Sequence, residues 1–289
     1  MALRVAGLLF GQEGAGSFVQ AGARGMRLAA RAAGCDLELV HCDAIAVAQR
    51  VVALEALTCS APDLVIVHGG QGVLPLEQVA SRWPRQRFAL VQGSLRAPNV
   101  ACYQVLLEQA AYLAGALAAW STRTGVIAHL SGEPVGPGRK GEAAFRLGAW
   151  QAAPEVRVLS HFCGHQHDAA LARAAVLAQA QQGADIVFTM LGQGRVGAIA
   201  ACRAAGVRQI GDGIDWCAVD PEVFMASAFA DSAWCSQQAI EDTLQGRFAP
   251  RVPRTAGLEL PEVCRLILHA DTPAYLRERL GTVRVPAGL

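Results

Sequence analysis

Three stretches of this 289-residue chain concentrate groups that could do chemistry. The first is the loop 11–17 (GQEGAGS), between an apolar run and an amphipathic one. Main-chain N–H groups at a strand-to-helix turn can receive an anion, helped by the helix dipole. The loop does not end as a P-loop must in Gly-Lys-Ser/Thr, because Gly16 is followed by Ser17 and Phe18. It also lacks the third glycine of a dinucleotide fingerprint, since Val19 stands there. A plain turn is favoured over phosphate binding. The second stretch, 161–168 (HFCGHQHD), holds three of the seven histidines, but its spacing matches no zinc motif. A loop in which Asp168 stands near a helix start is the favoured reading, and no metal is expected.

The third feature occurs twice: Gly69, Gly70, Gln71 and Gly72 in the first half, and Gly192, Gln193 and Gly194 in the second. Each run follows a strand-like segment, where glycine lets the backbone approach a ligand closely. Tight turns explain the runs equally well, and both readings stay open. Catalysis has little support. No serine sits in G-x-S-x-G, and Ser94 and Ser131 lack the flanking glycines. Asp215 and Asp231 read as a turn former and a helix cap, so no catalytic residue and no cofactor is expected.

Short runs rich in Val, Ile and Leu alternate with longer Ala-rich stretches, which is the pattern of βα units around parallel sheets. Strands are predicted at 4–10, 37–41, 63–67, 87–91 and 99–103, with helices at 17–33, 44–58, 74–81 and 106–120. A second series follows. Its strands fall at 125–130, 156–161, 185–189, 207–211 and 223–229, and its helices at 140–150, 169–181, 194–205 and 232–245. Two such series exceed one core, so two lobes are expected.

Composition narrows the partners. The formal net charge of +1, with 17% charged residues, leaves no basic excess for a run of phosphates, so no nucleic-acid partner is expected. The mean hydropathy is +0.29, yet no window reaches the roughly 18 apolar residues of a membrane span. The nine cysteines are scattered without CxxC spacing, a usage that suits a reducing compartment. The opening MALRVAGLLF runs straight into a polar glycine loop, unlike a secretory leader. These features predict a cytoplasmic chain, or a periplasmic or lipid-anchored one if a leader has been trimmed.

In order along the chain, several segments resemble the basic membrane protein (PnrA-like) family of ABC-transporter substrate-binding proteins. Ser17 and Phe18, with Gln20 and Gly25, are similar to the stretch after the family's first strand, and Asp63, Leu64, Val65 and Ile66 to its third strand. Its most telling block is matched by Phe88 to Val91 (FALV), Pro98 to Ala101 (PNVA) and Ala111 to Gly115 (AYLAG). GADIVF at 183–188 and Ile210, Gly211 and Asp215 follow in order.

The resemblance implies an α/β fold of the periplasmic-binding-protein type I plan: two Rossmann-like lobes with a hinged ligand cleft. Lobe 1 is expected to hold 1–103 and 230–248, and lobe 2 to hold 104–229 and 249–289. It also implies a small-molecule ligand and an ABC permease as partner, with nucleosides as the ligand of many members. This sequence departs from the nucleoside contacts. Ala15 replaces an acidic residue, Val19 an amide, Ala23 a stacking aromatic, Gln92 an aspartate and Ala230 a lysine, while His165 stands near the place of a second stacking aromatic. The expected ligand residues are Ser17, Phe18, Gly70, Gln92, His165, Gly192, Asp215 and Trp216, holding a molecule other than a typical nucleoside. A cytoplasmic sensor or interaction module is the alternative, and an enzyme acting on a small molecule the least favoured.

Overall fold

A computed structural model describes residues 2–289; Met1, the first residue of the apolar opening run, lies outside them. The chain runs β1 (Arg4–Phe10), α1 (Phe18–Ala33), β2 (Asp36–Cys42), α2 (Val47–Cys59), β3 (Leu64–His68), α3 (Val73–Val79), β4 (Phe88–Val91) and β5 (Val100–Val105). It continues with α4 (Leu107–Ser121), β6 (Val126–Ser131), α5 (Gly136–Ala152), β7 (Arg157–Phe162), α6 (Ala169–Gln181), β8 (Ile186–Met190), α7 (Arg195–Ala205) and β9 (Arg208–Gly213). The last elements are α8 (Trp216–Val219), β10 (Phe224–Ala230), α9 (Ala233–Leu244), β11 (Arg254–Ala256), β12 (Cys264–Leu268) and α10 (Ala274–Gly281).

These elements form two units, Met1–Val105 with Asp231–Ala256, and Leu106–Ala230 with Gly257–Leu289. The chain therefore passes from one to the other three times. The passages fall after Val105, Ala230 and Ala256, and before the last of them β11 pairs in parallel with β5, Arg254 opposite Tyr103. A charged network fixes this return. Asp242 on α9 is buried; it accepts from the Tyr103 hydroxyl (3.2 Å) and Arg247 Nε (3.2 Å), and from Arg254.

Unit 1 has a six-stranded sheet in the order β11-β5-β4-β3-β1-β2, every pair parallel. Its inner strands β3 (LVIVH) and β4 (FALV) are buried along their whole length. That is what helices on both faces require, and it is why these runs show no polar alternation. Each fully buried Leu, Ile or Val there contributes about 1.5–3 kcal/mol. Unit 2 repeats the plan as β12-β10-β9-β8-β6-β7, with one difference: β12 is antiparallel to β10. The nine cysteines are all free, and Cys102, Cys202, Cys235 and Cys264 are buried, where they act as small apolar side chains.

Local chemistry sets the element ends. Ser17 caps α1 and Asp168 caps α6, whose bounds coincide with the predicted 169–181. Helix α5 starts at Gly136, four residues earlier than predicted, because Pro137 is tolerated in a first helical turn. Within unit 2, α4 and α5 pack backbone to backbone. A Cβ on Gly115 would lie 1.9 Å from the Phe145 carbonyl oxygen, and one on Gly148 2.0 Å from that of Tyr112. Alanine normally stabilises a helix interior relative to glycine by about 1 kcal/mol. Here Gly115→Ala and Gly148→Ala should each reverse that sign and cost about 1–3 kcal/mol by overpacking. Thermal melts should fall by about 2–4 °C per kcal/mol; an unchanged or raised midpoint would refute the close helix contact.

Candidate functional site

In doubly wound sheets ligands meet the carboxyl strand ends where strand order reverses. In unit 1 the reversal lies between β1 and β3, and in unit 2 between β6 and β8. Ser17, Phe18 and Gly70 sit at the first of these points, and Gly192 follows β8 at the second. Gln92 follows β4, His165 follows β7, and Asp215 and Trp216 follow β9. Every predicted site residue thus falls at a carboxyl strand edge, but their side chains do different work.

At the unit 1 edge the loop after β1 satisfies its own backbone. Gly14 N–H donates to Ser17 Oγ (3.2 Å), Gly16 N–H to Gln20 Oε1 (2.8 Å), and Gln20 N–H to Ser17 Oγ (3.1 Å). This is a turn and a helix cap, and these N–H groups do not form an anion cradle. Glu13 is held by Arg27 through two bonds of 2.9 and 2.6 Å, with His41 Nε2 at 3.4 Å; the Arg27 guanidinium keeps its carboxyl below the usual range. Gln12 donates to Asp43 Oδ2 (2.7 Å).

Phe18 opens α1 and is half-buried. Its ring lies on the imidazole of His68, centroids 4.1 Å apart and planes 18° from parallel. His68 ends β3 and is 1% exposed. Its Nε2 is 3.0 Å from the Phe18 carbonyl oxygen, and burial pulls its pKa down to about 4, so the ring is neutral and Nε2–H donates. Sequence reasoning missed this residue; its only signal was a polar side chain closing an apolar strand just before two glycines. Gly70 is buried in the short turn after β3.

Gln92 has other work than ligand contact. Its backbone is left-handed (φ 56°), its N–H donates to the Tyr103 carbonyl (2.9 Å), and its side-chain amide binds both the N–H and the C=O of Val105 (3.2 and 3.1 Å). It clamps the end of β5 where the chain leaves unit 1. Val19 and Ala23, at the places of a family amide and stacking aromatic, are buried among the helix's inward residues.

In unit 2 the loop after β7 lies over the turn after β8. Gln166 C=O accepts from the N–H groups of Gly192 (3.0 Å) and Gly194 (3.1 Å), and Gln193 N–H donates to His167 Nδ1 (3.3 Å). His165 is half-buried, meets His167 edge-on at 6.0 Å, and accepts the His167 N–H at Nδ1 (3.0 Å). Among the described residues no three His, Cys, Asp or Glu side chains group to hold a metal. Asp215 caps α8, accepting from Ala218 N–H at 3.2 Å.

Trp216 is part of the core: 6% exposed, stacked on Phe224 at 5.3 Å, its Nε1–H on the Asp212 carbonyl (2.8 Å), with the Arg195 guanidinium 4.5 Å from its ring. Arg195, also buried, pairs with Asp212 and donates to the Leu191 carbonyl (2.6 Å), so this ion pair binds the ends of β8 and β9 together. Deeper in the sheet His129 is fully buried between the hydroxyls of Ser131 (2.8 Å) and Ser160 (3.2 Å).

Two successive parallel α/β units with three chain passages define the two-lobed periplasmic-binding-protein type I fold. The model of the Bmp family, described as ABC transporter substrate-binding protein PnrA-like, matches residues 5–256, and the chain belongs to that family. It is a family of solute-binding proteins rather than enzymes. A purine-binding protein of Brucella abortus (strain 2308) is 24% identical over 177 residues, 56% of this chain; the match spans half the length of that relative. The solved structure of an ABC transporter solute-binding protein from Aeropyrum pernix K1 matches with TM-score 0.80 and 24% identity, over 99% of this chain and 82% of that one. Another, from Conexibacter woesei DSM 14684, has TM-score 0.68 and 22% identity over 99% of both chains. At these identities the solved structures speak for the fold alone.

The two buried histidines make stability depend on pH. Burial, aided in unit 2 by repulsion from Arg146, pulls His129 down to about 3, as burial pulls His68 to about 4. The unfolded chain binds a proton at each ring near pH 6.5 and the folded chain does not, so stability is full above that value and is lost as pH falls below it. Urea unfolding at pH 7 and at pH 5 should differ by about 2 kcal/mol per ring; equal stability at both would show that the rings are not held neutral.

Proposed function

We propose that this chain is the solute receptor of an ABC importer and takes a small uncharged molecule with a planar or apolar face, other than a typical nucleoside. The observation that carries this reading is the ring of Phe18, half-buried at the strand-order reversal of unit 1 and backed on one side by His68. A ring supported from behind offers its remaining surface to a flat or apolar partner.

The charges around the two edges support the neutral ligand. Glu13 is bound by Arg27, Asp43 by Gln12, and Arg195 by Asp212, while Asp168 and Asp215 cap helices. A charged ligand would have to break one of these pairs to find its counter-ion, at the cost of leaving the other partner poorly solvated. Gly70 and Gly192, with His165, supply close-approach backbone and a polar ring at the same edges. The residues that replace the family's nucleoside contacts point away from a typical nucleoside. The purine-binding relative keeps a free base in the field of candidates.

Proteins of this family normally work in the periplasm or on a lipid anchor, and no helix among the described residues is long and apolar enough to cross a membrane. The nine free cysteines are the feature that favours a cytoplasmic sensor instead. Fractionation of the natural full-length protein decides between the two, since recovery from the periplasm ends the sensor reading. The ligand is tested by calorimetry with adenine, adenosine, D-ribose and L-leucine. Adenine or ribose is expected to bind, and Phe18→Ala to weaken binding at least tenfold, about 1.4 kcal/mol or more. Tightest binding of leucine, or an affinity untouched by Phe18→Ala, would end this reading.

A further inference from the structure

We propose that His68 is a positioning residue for ligand recognition, fixing both the ring and the carbonyl of Phe18 so that the ring is presented in one orientation. This inference rests on the reading of Phe18 as a ligand contact.

Three observations converge on it. The imidazole stacks under the Phe18 ring at 4.1 Å, and its Nε2–H donates to the carbonyl of that same residue at 3.0 Å, so one side chain holds two separate parts of Phe18. A helical carbonyl has a second lone pair, which this bond uses. The helix makes room for the ring at Gly22, one turn on and on the same face: a Cβ there would lie 2.3 Å from His68 Nε2.

The third observation is chemical. His68 is almost fully buried, yet its Nδ1 has no hydrogen-bond partner. Packing alone would be served better by an apolar side chain, because a buried polar atom without a partner destabilises the fold. Leucine or phenylalanine could fill the space but could not hold the carbonyl. Helix α9 packs on both α1 and β3, and two further buried hydroxyls, Ser232 at its N-terminal cap and Ser236 on it, also lack partners.

A ring held in one orientation loses little freedom when a ligand stacks on it. Releasing it should therefore weaken binding about 3- to 10-fold with no contact removed from the ligand.

The probe is Phe18 itself. Protein made with 4-fluorophenylalanine carries nine labelled rings, and Phe18→Leu assigns the signal of residue 18. In His68→Gln and in Gly22→Ala that signal is expected to move downfield as the stack opens, while the others hold. In the unaltered protein, nitrogen-15 spectra of the histidines should show His68 with a protonated Nε2 and a bare Nδ1, a measurement that needs no variant to fold. A Phe18 signal unmoved in both variants, or a His68 protonated on Nδ1, overturns the proposal. So does equal affinity of His68→Gln and the unaltered protein for a bound probe, which would leave the reading of Phe18 as a contact intact. If the variants shift the Phe18 signal but none of the four test molecules does, the contact reading falls and the proposal falls with it, leaving His68 only as a packing partner of Phe18.

Discussion

A parallel sheet covered on both faces has almost no freedom in its interior, and this constraint governs both units. β3 and β4 are buried throughout, and apolar except for His68 at the end of β3, because helices lie above and below them, and such strands can only be joined by crossovers that start at one edge and finish at the other. The residues that can differ without disturbing the core are those just past the carboxyl ends. Order reverses beside β1 in one unit and beside β6 in the other, so two loops at each reversal diverge there, the place where doubly wound sheets generally receive ligands.

At these edges the chain uses most of its polar side chains on itself. Ser17, Asp168 and Asp215 cap helices, Gln92 clamps a strand end, and Arg195 with Asp212 ties two strands. The result is a rigid rim with few uncommitted charges, which favours recognition by shape and stacking over recognition by ion pairing. Phe18 is the residue in which rigidity and apolar surface coincide. The histidine behind it is held neutral by burial, so its contribution is directional hydrogen bonding rather than charge.

How much could be read in the sequence depended on whether the cause was local. Strand β1 and helix α6 were legible to the residue because Gly11 ends an apolar run and Asp168 caps a helical one. Strands β11 and β12 were not, since residues 250–268 carry no alternating pattern and the strands exist through partners far away: Arg254 opposite Tyr103, Cys264 opposite Ala230. Helix α10 and the four-residue α8 lacked the length that periodicity needs. For the site, position was legible and role was not. Edge placement follows from strand ends, but nothing local says that Gln92 takes a left-handed backbone, that Trp216 turns inward onto Phe224, or that His68 lies under Phe18.

The return of residues 231–256 to unit 1 has a consequence for how the protein is made. That unit lacks α9, strand β11 and the Asp242 network until residue 256 has been synthesised, by which time most of the other unit is complete. During translation the N-terminal portion waits with the outer edge of β5 unpaired and the α1 surface around Gly25 uncovered. Each unit thus waits for a later segment, unit 1 for residues 231–256 and unit 2 for β12 and α10 after them, and a ribosome that stalls between residues 105 and 231 leaves a nascent chain whose first hundred residues lack the partners of β5 and α1.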